Sequence, residues 1–172
     1  MKNRTELAQY FAELGFKTGA EIGVQGGRYS DVLLKNIPGL KLYSIDVWES
    51  KYKVYEDRAR KLLSTHPGSV IVKKWSVEAA KDFADNSLDF VYIDANHWYE
   101  SVKQDLETWT PKVRSGGIVS GHDYIFNKRT VQVTKAVDEF VQLNNYKLYL
   151  TEYDGNAEMR DDRLPSWFFI KV

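Results

Sequence analysis

The chain contains no cysteine. That absence removes disulfides, thiolate metal sites and cysteine nucleophiles from consideration, and it is compatible with a reducing compartment. Charge of one sign is lacking too. The 24 basic residues balance 24 acidic ones, so the formal net charge is zero and no overall field draws nucleic acid or an anionic membrane to the protein. No apolar run reaches the ~20 residues that span a bilayer. The opening MKNRTELAQYFAELG carries scattered charges instead of the continuous apolar core of a secretory leader. A soluble cytoplasmic protein with no membrane partner is expected. What is present is an ordinary globular composition, 43% hydrophobic and 28% charged with a high 14% aromatic share, in 172 residues. That length suits one domain with a substantial core.

Residues Thr5 to Leu14 place Leu7, Tyr10, Phe11 and Leu14 at helical spacing, with Thr5 as a candidate cap and Gly15 as a stop. Five short apolar runs follow: GAEIGV, KLYSIDV, SVIVKKW, LDFVYIDA and GGIVSG. Stretches of helical character lie between them at 31–36, 51–64, 77–84 and 99–109. Such alternation predicts a parallel sheet with crossover helices. After Tyr124 the order changes. TVQVTKAVDEFVQLNN reads as a long helix, and YKLYLTEY and SWFFIKV as a strand pair closing the sheet edge, around a polar segment Asp154 to Arg163 that suits a solvated loop. The expected fold is α/β, a doubly wound, mostly parallel sheet of seven strands with an antiparallel last strand and helices on both faces. It forms one domain over 1–172: an N-terminal helix (1–15), a core (18–124), and a C-terminal helix with the strand pair (125–172).

Ligands of such sheets bind outside the carboxyl ends of the strands, so the residues there carry the chemistry. In EIGVQGGRYS the first strand ends in Glu21, Gly23 and Gly27, a glycine turn that lets a ligand approach backbone and a helix N-terminus. Its spacing differs from G-x-G-x-x-G, and structural turns use glycine as well. About twenty residues on, KLYSIDVWE ends in Asp46, where a carboxylate can accept from both hydroxyls of a ribose. Trp48 beyond it is either a flat surface for a purine or a core residue. The third strand delivers Trp75, Ser76 and Val77 to the same cleft, and Ser76 also suits a helix N-cap. Asp94 ends the fourth strand and His122 with Asp123 end the fifth; adjacent strands lie about 4.8 Å apart, so these three can converge and hold a divalent cation. Asp105 and Glu107 are expected on the solvent face of a covering helix.

The ordered motifs EIGVQGGRYS, SIDVWE, DFVYIDANHWYESVKQDLETW and VRSGGIVSGHDY resemble the class I S-adenosylmethionine-dependent methyltransferases with their Rossmann-like fold. Within that class they are similar to the small O-methyltransferases related to macrocin-type sugar O-methyltransferases. The resemblance runs from about Thr18 to the final strand. It implies that Glu21, Gly23 and Gly27 cradle the methionine end of the cofactor, that Asp46 takes the ribose, and that Trp48 and Trp75, Ser76 and Val77 border adenine. It further implies Mg²⁺ or Mn²⁺ on Asp94, His122 and Asp123. Oxygen-seeking Mg²⁺ suits the two carboxylates, whereas the His122 imidazole favours Mn²⁺ or a place beside the ligands.

Methyl transfer needs a base for the acceptor hydroxyl, and His97, three residues after Asp94, is the candidate. Asn96, where some relatives carry an acid, cannot serve. His97 can equally cap the following helix, and His122 can hold the strand-five turn. The expected activity is O-methylation of a small hydroxyl acceptor, a sugar or a phenolic metabolite. The alternative is a nucleoside-binding or scaffold protein of the same fold without turnover. Nucleic acid is a poor acceptor for a neutral chain, and the short N-terminal extension leaves a site that a homodimer could cover.

Overall fold

A computed structural model of the chain describes residues 1–125, 132–153, 155 and 163–172. The first helix, α1 (Arg4–Glu13), starts immediately after Asn3. The Asn3 side chain accepts from the N–H groups of Thr5 (3.0 Å) and Glu6 (3.1 Å), two of the donors that a helix start leaves unpaired. The cap is thus Asn3 and not Thr5. The buried stripe is Arg4, Leu7, Ala8 and Phe11, so it begins with a charged residue that hydropathy spacing does not register, while Leu14 is exposed.

The remaining elements are β1 (Thr18–Ile22), α2 (Arg28–Asn36), β2 (Lys41–Asp46), α3 (Glu56–Leu63), β3 (Ser69–Lys73), α4 (Ser76–Ala80), β4 (Leu88–Ile93), α5 (Tyr99–Trp109), β5 (Val113–Gly121), α6 (Val133–Leu143), β6 (Tyr149–Leu150) and β7 (Trp167–Ile170). The expected helix over 51–64 divides into a tight 3₁₀ segment, Ser50–Tyr55, followed by α3. The expected strand YKLYLTEY pairs only over Tyr149–Leu150, a short edge of the kind that limits pairing with other chains. The polar segment Asp154 to Arg163 lies outside the described residues except for Gly155 and Arg163.

The seven strands run in the order β3-β2-β1-β4-β5-β7-β6. Neighbours from β3 through β5 are parallel, and β7 is antiparallel to both β5 and β6. This is the doubly wound sheet expected from the sequence. Alternation along β4 shows why both faces need helices: Phe90 and Tyr92 join the cluster formed with Leu7, Phe11, Tyr29 and Leu33 of α1 and α2. Val91 and Ile93 join the opposite cluster with Val102, Leu106 and Trp109 of α5 and Val137 of α6. Gly19 makes room for Phe90, since a Cβ there would lie 2.2 Å from the ring. The strand order reverses around β1, with β2 on one side and β4 on the other, which opens a crevice at their carboxyl ends.

The cap assignment is testable by urea unfolding. Asn3→Ala is expected to lower stability by about 1 kcal/mol and Thr5→Ala by less than about 0.5 kcal/mol. The reverse ranking would return the cap to Thr5.

Candidate active site

The ends of β1 and β4 are stitched together: the N–H of Asp94 donates to the Ile22 carbonyl (2.7 Å), and on the other side Gly23 donates to Ile45 (2.9 Å). Gly23 has φ +90°, and a Cβ there would lie 2.2 Å from the Asp94 carbonyl oxygen and 2.6 Å from the Ala95 Cα. Only glycine satisfies both conditions. The turn that follows is tied to β2 by Asp46, whose Oδ2 accepts from the N–H groups of Val24 (2.9 Å) and Gln25 (2.8 Å) while Oδ1 accepts from Trp48 (2.9 Å).

Trp48 does not offer a face to the crevice. It is 1% exposed, adopts a left-handed φ of +44°, and clusters with Val24, Ala59 and Leu63. Its indole N–H donates to the Gln25 carbonyl (2.8 Å), so it braces the turn from the core, and the core alternative holds for this residue.

Glu21 is buried, accepting from the Ser30 hydroxyl, which is itself 2.9 Å from that of Ser44. Burial pushes its carboxyl from 4.5 up to about 8, against the Ser30 hydrogen bond and with help from the nearby Asp94 charge. Trp75 is 60% exposed and occupies the cap position of α4. Ser76 makes no cap hydrogen bond. Its hydroxyl instead donates to Asp105 and accepts from the Trp109 indole N–H (2.9 Å). Val77 lines a groove with Ala80, Thr108 and Pro111. Asp105 is consequently buried and not on the solvent face, and burial raises its carboxyl to about 6, opposed by the Ser76 hydrogen bond.

Asp94, His97 and Asp123 do converge. One oxygen or nitrogen from each lies within 4.8 Å of the others. The His97 Nε2 is 3.4 Å from Asp94 Oδ1 and 3.2 Å from Asp123 Oδ2. His122, expected as the third ligand, is 3% exposed and sits behind Asp123, with Nδ1 3.1 Å from Asp123 Oδ1 and 4.0 Å from Asp94 Oδ2. Its Nε2 is buried without a hydrogen-bond partner among the described residues. The exchange of the two histidines has a local cause. Asp123 takes φ +53°, which folds the chain back immediately after His122, while the turn after β4 brings His97 to the open side.

That turn is held by Asn96, which accepts from the Trp98 N–H (3.0 Å), and by Gln132, whose N–H donates to the His97 carbonyl (2.8 Å) and whose side chain accepts from the Tyr99 N–H (3.1 Å). The N-cap position of α5 is Trp98, whose side chain makes no cap bond, and the Tyr99 N–H goes to Gln132, so His97 is not the cap. The hydrogen bond to Asp94 raises the His97 pKa, burial opposes it, and the charges of Asp123 and Asp94 add to the rise. Burial raises Asp123, but the His122 hydrogen bond and the charges of His122, His97 and Arg4 outweigh it and hold the carboxyl below its usual value. Two carboxylates and one imidazole form a donor set that fits a borderline cation such as Mn²⁺ better than Mg²⁺.

Residues 20–124, more than half of the chain, match the profile of a family described as a methyltransferase domain. The chain belongs to that family. Its fold is that of the class I methyltransferases. Similar solved structures include an O-methyltransferase from Bacillus cereus in complex with SAH (TM-score 0.72, 16% identity, 98% of this chain and 80% of that one). Another is the O-methyltransferase TomG from Streptomyces achromogenes in complex with SAM (TM-score 0.73, 15% identity, 98% and 80%). A third is the precorrin-6y C5,15-methyltransferase from Geobacter metallireducens GS-15 (TM-score 0.70, 15% identity, 97% and 88%). Among curated proteins, the uncharacterized protein y4gI of Sinorhizobium fredii (strain NBRC 101917 / NGR234) is 38% identical over 55 residues, which is 32% of this chain and 6% of that protein. Among the described residues of this methyltransferase domain, no helix is long and apolar enough to cross a membrane.

Arg4 is a residue of this site that strand-end reasoning misses, because it arrives from α1, with NH1 3.8 Å from Asp94 Oδ2. The signal for it was a cation at the head of an apolar stripe, four residues before Ala8 and seven before Phe11.

The buried carboxyl of Glu21 gives the domain a pH signature. Its folded pKa lies above the unfolded one, so the proton it holds adds stability that is complete below about pH 4.5 and is lost as pH rises through about 8. Glu21→Gln is expected to flatten that decline, read by urea unfolding at about pH 5 and about pH 9. Identical slopes for the two proteins would place an ionised Glu21 in the fold.

Proposed function

We propose that this domain transfers the methyl group of S-adenosylmethionine to a hydroxyl of a small molecule, a sugar or a phenolic metabolite, in the cytoplasm. The carrying observation is the convergence of His97 with Asp94 and Asp123 one strand away from the Gly23–Gly27 turn. The SAH and SAM complexes of the two similar O-methyltransferases support the cofactor and the reaction.

In this reading the turn receives the methionyl end of the cofactor on backbone N–H groups, and the adenine lies toward Trp75 and Ser76. Asp46 takes the ribose. A carboxylate has about four acceptor positions, and three of those of Asp46 are filled by Val24, Gln25 and Trp48, so the ribose adds to a group already fixed in place.

The acceptor oxygen attacks the methyl carbon in line with the departing sulfur. A C–O bond forms as the C–S bond breaks, the sulfonium becomes a neutral thioether, and the hydroxyl proton passes to the His97 imidazole, whose Nε2–H is directed at the carboxylates of Asp94 and Asp123. Asp94 and Asp123, at 3.4 and 3.2 Å, stabilise the imidazolium that results. A divalent cation on Asp94 and Asp123 would supply stabilisation of the developing alkoxide. An imidazole whose Nε2–H is directed at the two carboxylates does not present that nitrogen to a cation, so the base role leaves the ligation to the carboxylates.

The test is transfer of isotopically labelled methyl groups to a panel of hydroxyl acceptors, with and without Mn²⁺ or Mg²⁺. His97→Ala is expected to lower kcat by roughly 10²- to 10⁴-fold with S-adenosylhomocysteine affinity retained. An unchanged kcat would remove His97 as the base.

A further inference from the structure

We infer that Gln132, which lies outside the strand ends and their motifs, is the positioning residue for His97. This inference rests on the methyl-transfer reading, in which His97 is the base.

β4 ends at Ile93 and α5 starts at Tyr99, so the stretch that carries His97 belongs to neither a strand nor a helix. Its imidazole nevertheless sits between two carboxylates, 3.4 Å from Asp94 and 3.2 Å from Asp123. The Asn96 bond to the Trp98 N–H is internal to the turn and anchors it to no other element. Among the described residues, the hydrogen bonds that another part of the chain makes to the backbone of 95–99 both come from Gln132. Its N–H donates to the His97 carbonyl (2.8 Å), and its side-chain oxygen accepts from the Tyr99 N–H (3.1 Å). These bonds hold the peptide groups on either side of Trp98, and the first of them is made to His97 itself. They fix the plane of the peptide that follows His97, and with it the direction in which the imidazole leaves the chain.

Gln132 occupies the cap position of α6 but makes no side-chain cap bond there. Short polar residues are preferred at that position because they reach back to their own helix, whereas the longer glutamine side chain crosses to Tyr99. The anchor is itself anchored. α6 buries Val133, Ala136, Val137 and Val141 against the sheet, Glu139 accepts from the Tyr99 hydroxyl, and Asp138 accepts from the Tyr124 hydroxyl. Lys135 Nζ also lies 4.5 Å from the centre of the Tyr99 ring. The helix that starts at Gln132 is thus tied to the chain beyond both strands that supply the carboxylates, β4 and β5.

The experiment compares wild type with Gln132→Met, which removes the side-chain acceptor at similar volume, and Gln132→Glu, which keeps an acceptor at the same reach. Crystal structures read the place of the imidazole; labelled methyl transfer and titration with S-adenosylhomocysteine read function. Gln132→Met is expected to shift His97 out of its place between Asp94 and Asp123 and to lower kcat roughly 10- to 100-fold with S-adenosylhomocysteine affinity unchanged. Gln132→Glu is expected to keep the wild-type imidazole position and most of the wild-type kcat. An imidazole in the same place in wild type and Gln132→Met, or a loss of kcat matched by a loss of cofactor affinity, would overturn the inference and leave Gln132 as a support for α5. Should Gln132→Met fail to fold, amide hydrogen exchange of the wild type decides. The Tyr99 N–H stands at a helix start, where no intrahelical partner exists, so it is expected to be protected by Gln132, and unhindered exchange overturns the inference. A wild type that binds S-adenosylhomocysteine but methylates no acceptor would remove the proposed function, while the place of the imidazole still decides the role of Gln132.

Discussion

The site depends on the contact between Gly23 and the Asp94–Ala95 backbone. A Cβ at residue 23 would sit 2.2 Å from the Asp94 carbonyl, so the end of β1 can reach the end of β4 only because residue 23 has none. That approach puts the Gly23–Gly27 turn beside Asp94. Asp46 then fixes the far side of the turn with three backbone hydrogen bonds, and Trp48 supports it from the core. Three residues here other than glycine, Gln25, Trp48 and Asp123, take positive φ, each just past a strand end. Conformations of this kind persist where surrounding bonds over-determine them, as the Asp46 carboxylate does for Gln25 and Trp48.

Electrostatics divides the domain's buried and half-buried carboxyl groups into two kinds. Glu21 and Asp105 are raised by burial and are held by serine hydroxyls, which makes them supports for the packing of α2 and α5. Asp123 is held low by histidine and arginine neighbours, and with Asp94 it faces His97. One fold thus raises some carboxyl groups above their ordinary values and holds another below, by differences in what each touches. Ser76 shows the same division at the third strand, where its hydroxyl serves Asp105 and Trp109 instead of a helix cap.

Much of the fold was legible in the sequence because burial on both faces leaves a simple mark, short apolar runs alternating with helical stretches. Asp94 and Asp123 were legible for a related reason, since strand ends are where a parallel sheet places its polar groups. What escaped was set by single backbone angles and by distant contacts. The turn at Asp123 buries His122 and leaves the third position to His97. The left-handed Trp48 goes to the core, and Asp105 is claimed by a serine 29 residues earlier. Arg4 reaches Asp94 through the packing of a whole helix on the sheet. No local pattern of residues encodes those pairings.

The most direct test of the assigned site is a crystal structure of the chain with S-adenosylhomocysteine bound. The ligand is expected over the Gly23–Gly27 turn, its ribose at Asp46 and its sulfur directed toward the cluster of Asp94, His97 and Asp123. A ligand bound elsewhere, or one whose sulfur is separated from His97 by the body of the protein, would contradict the assignment of these residues to methyl transfer.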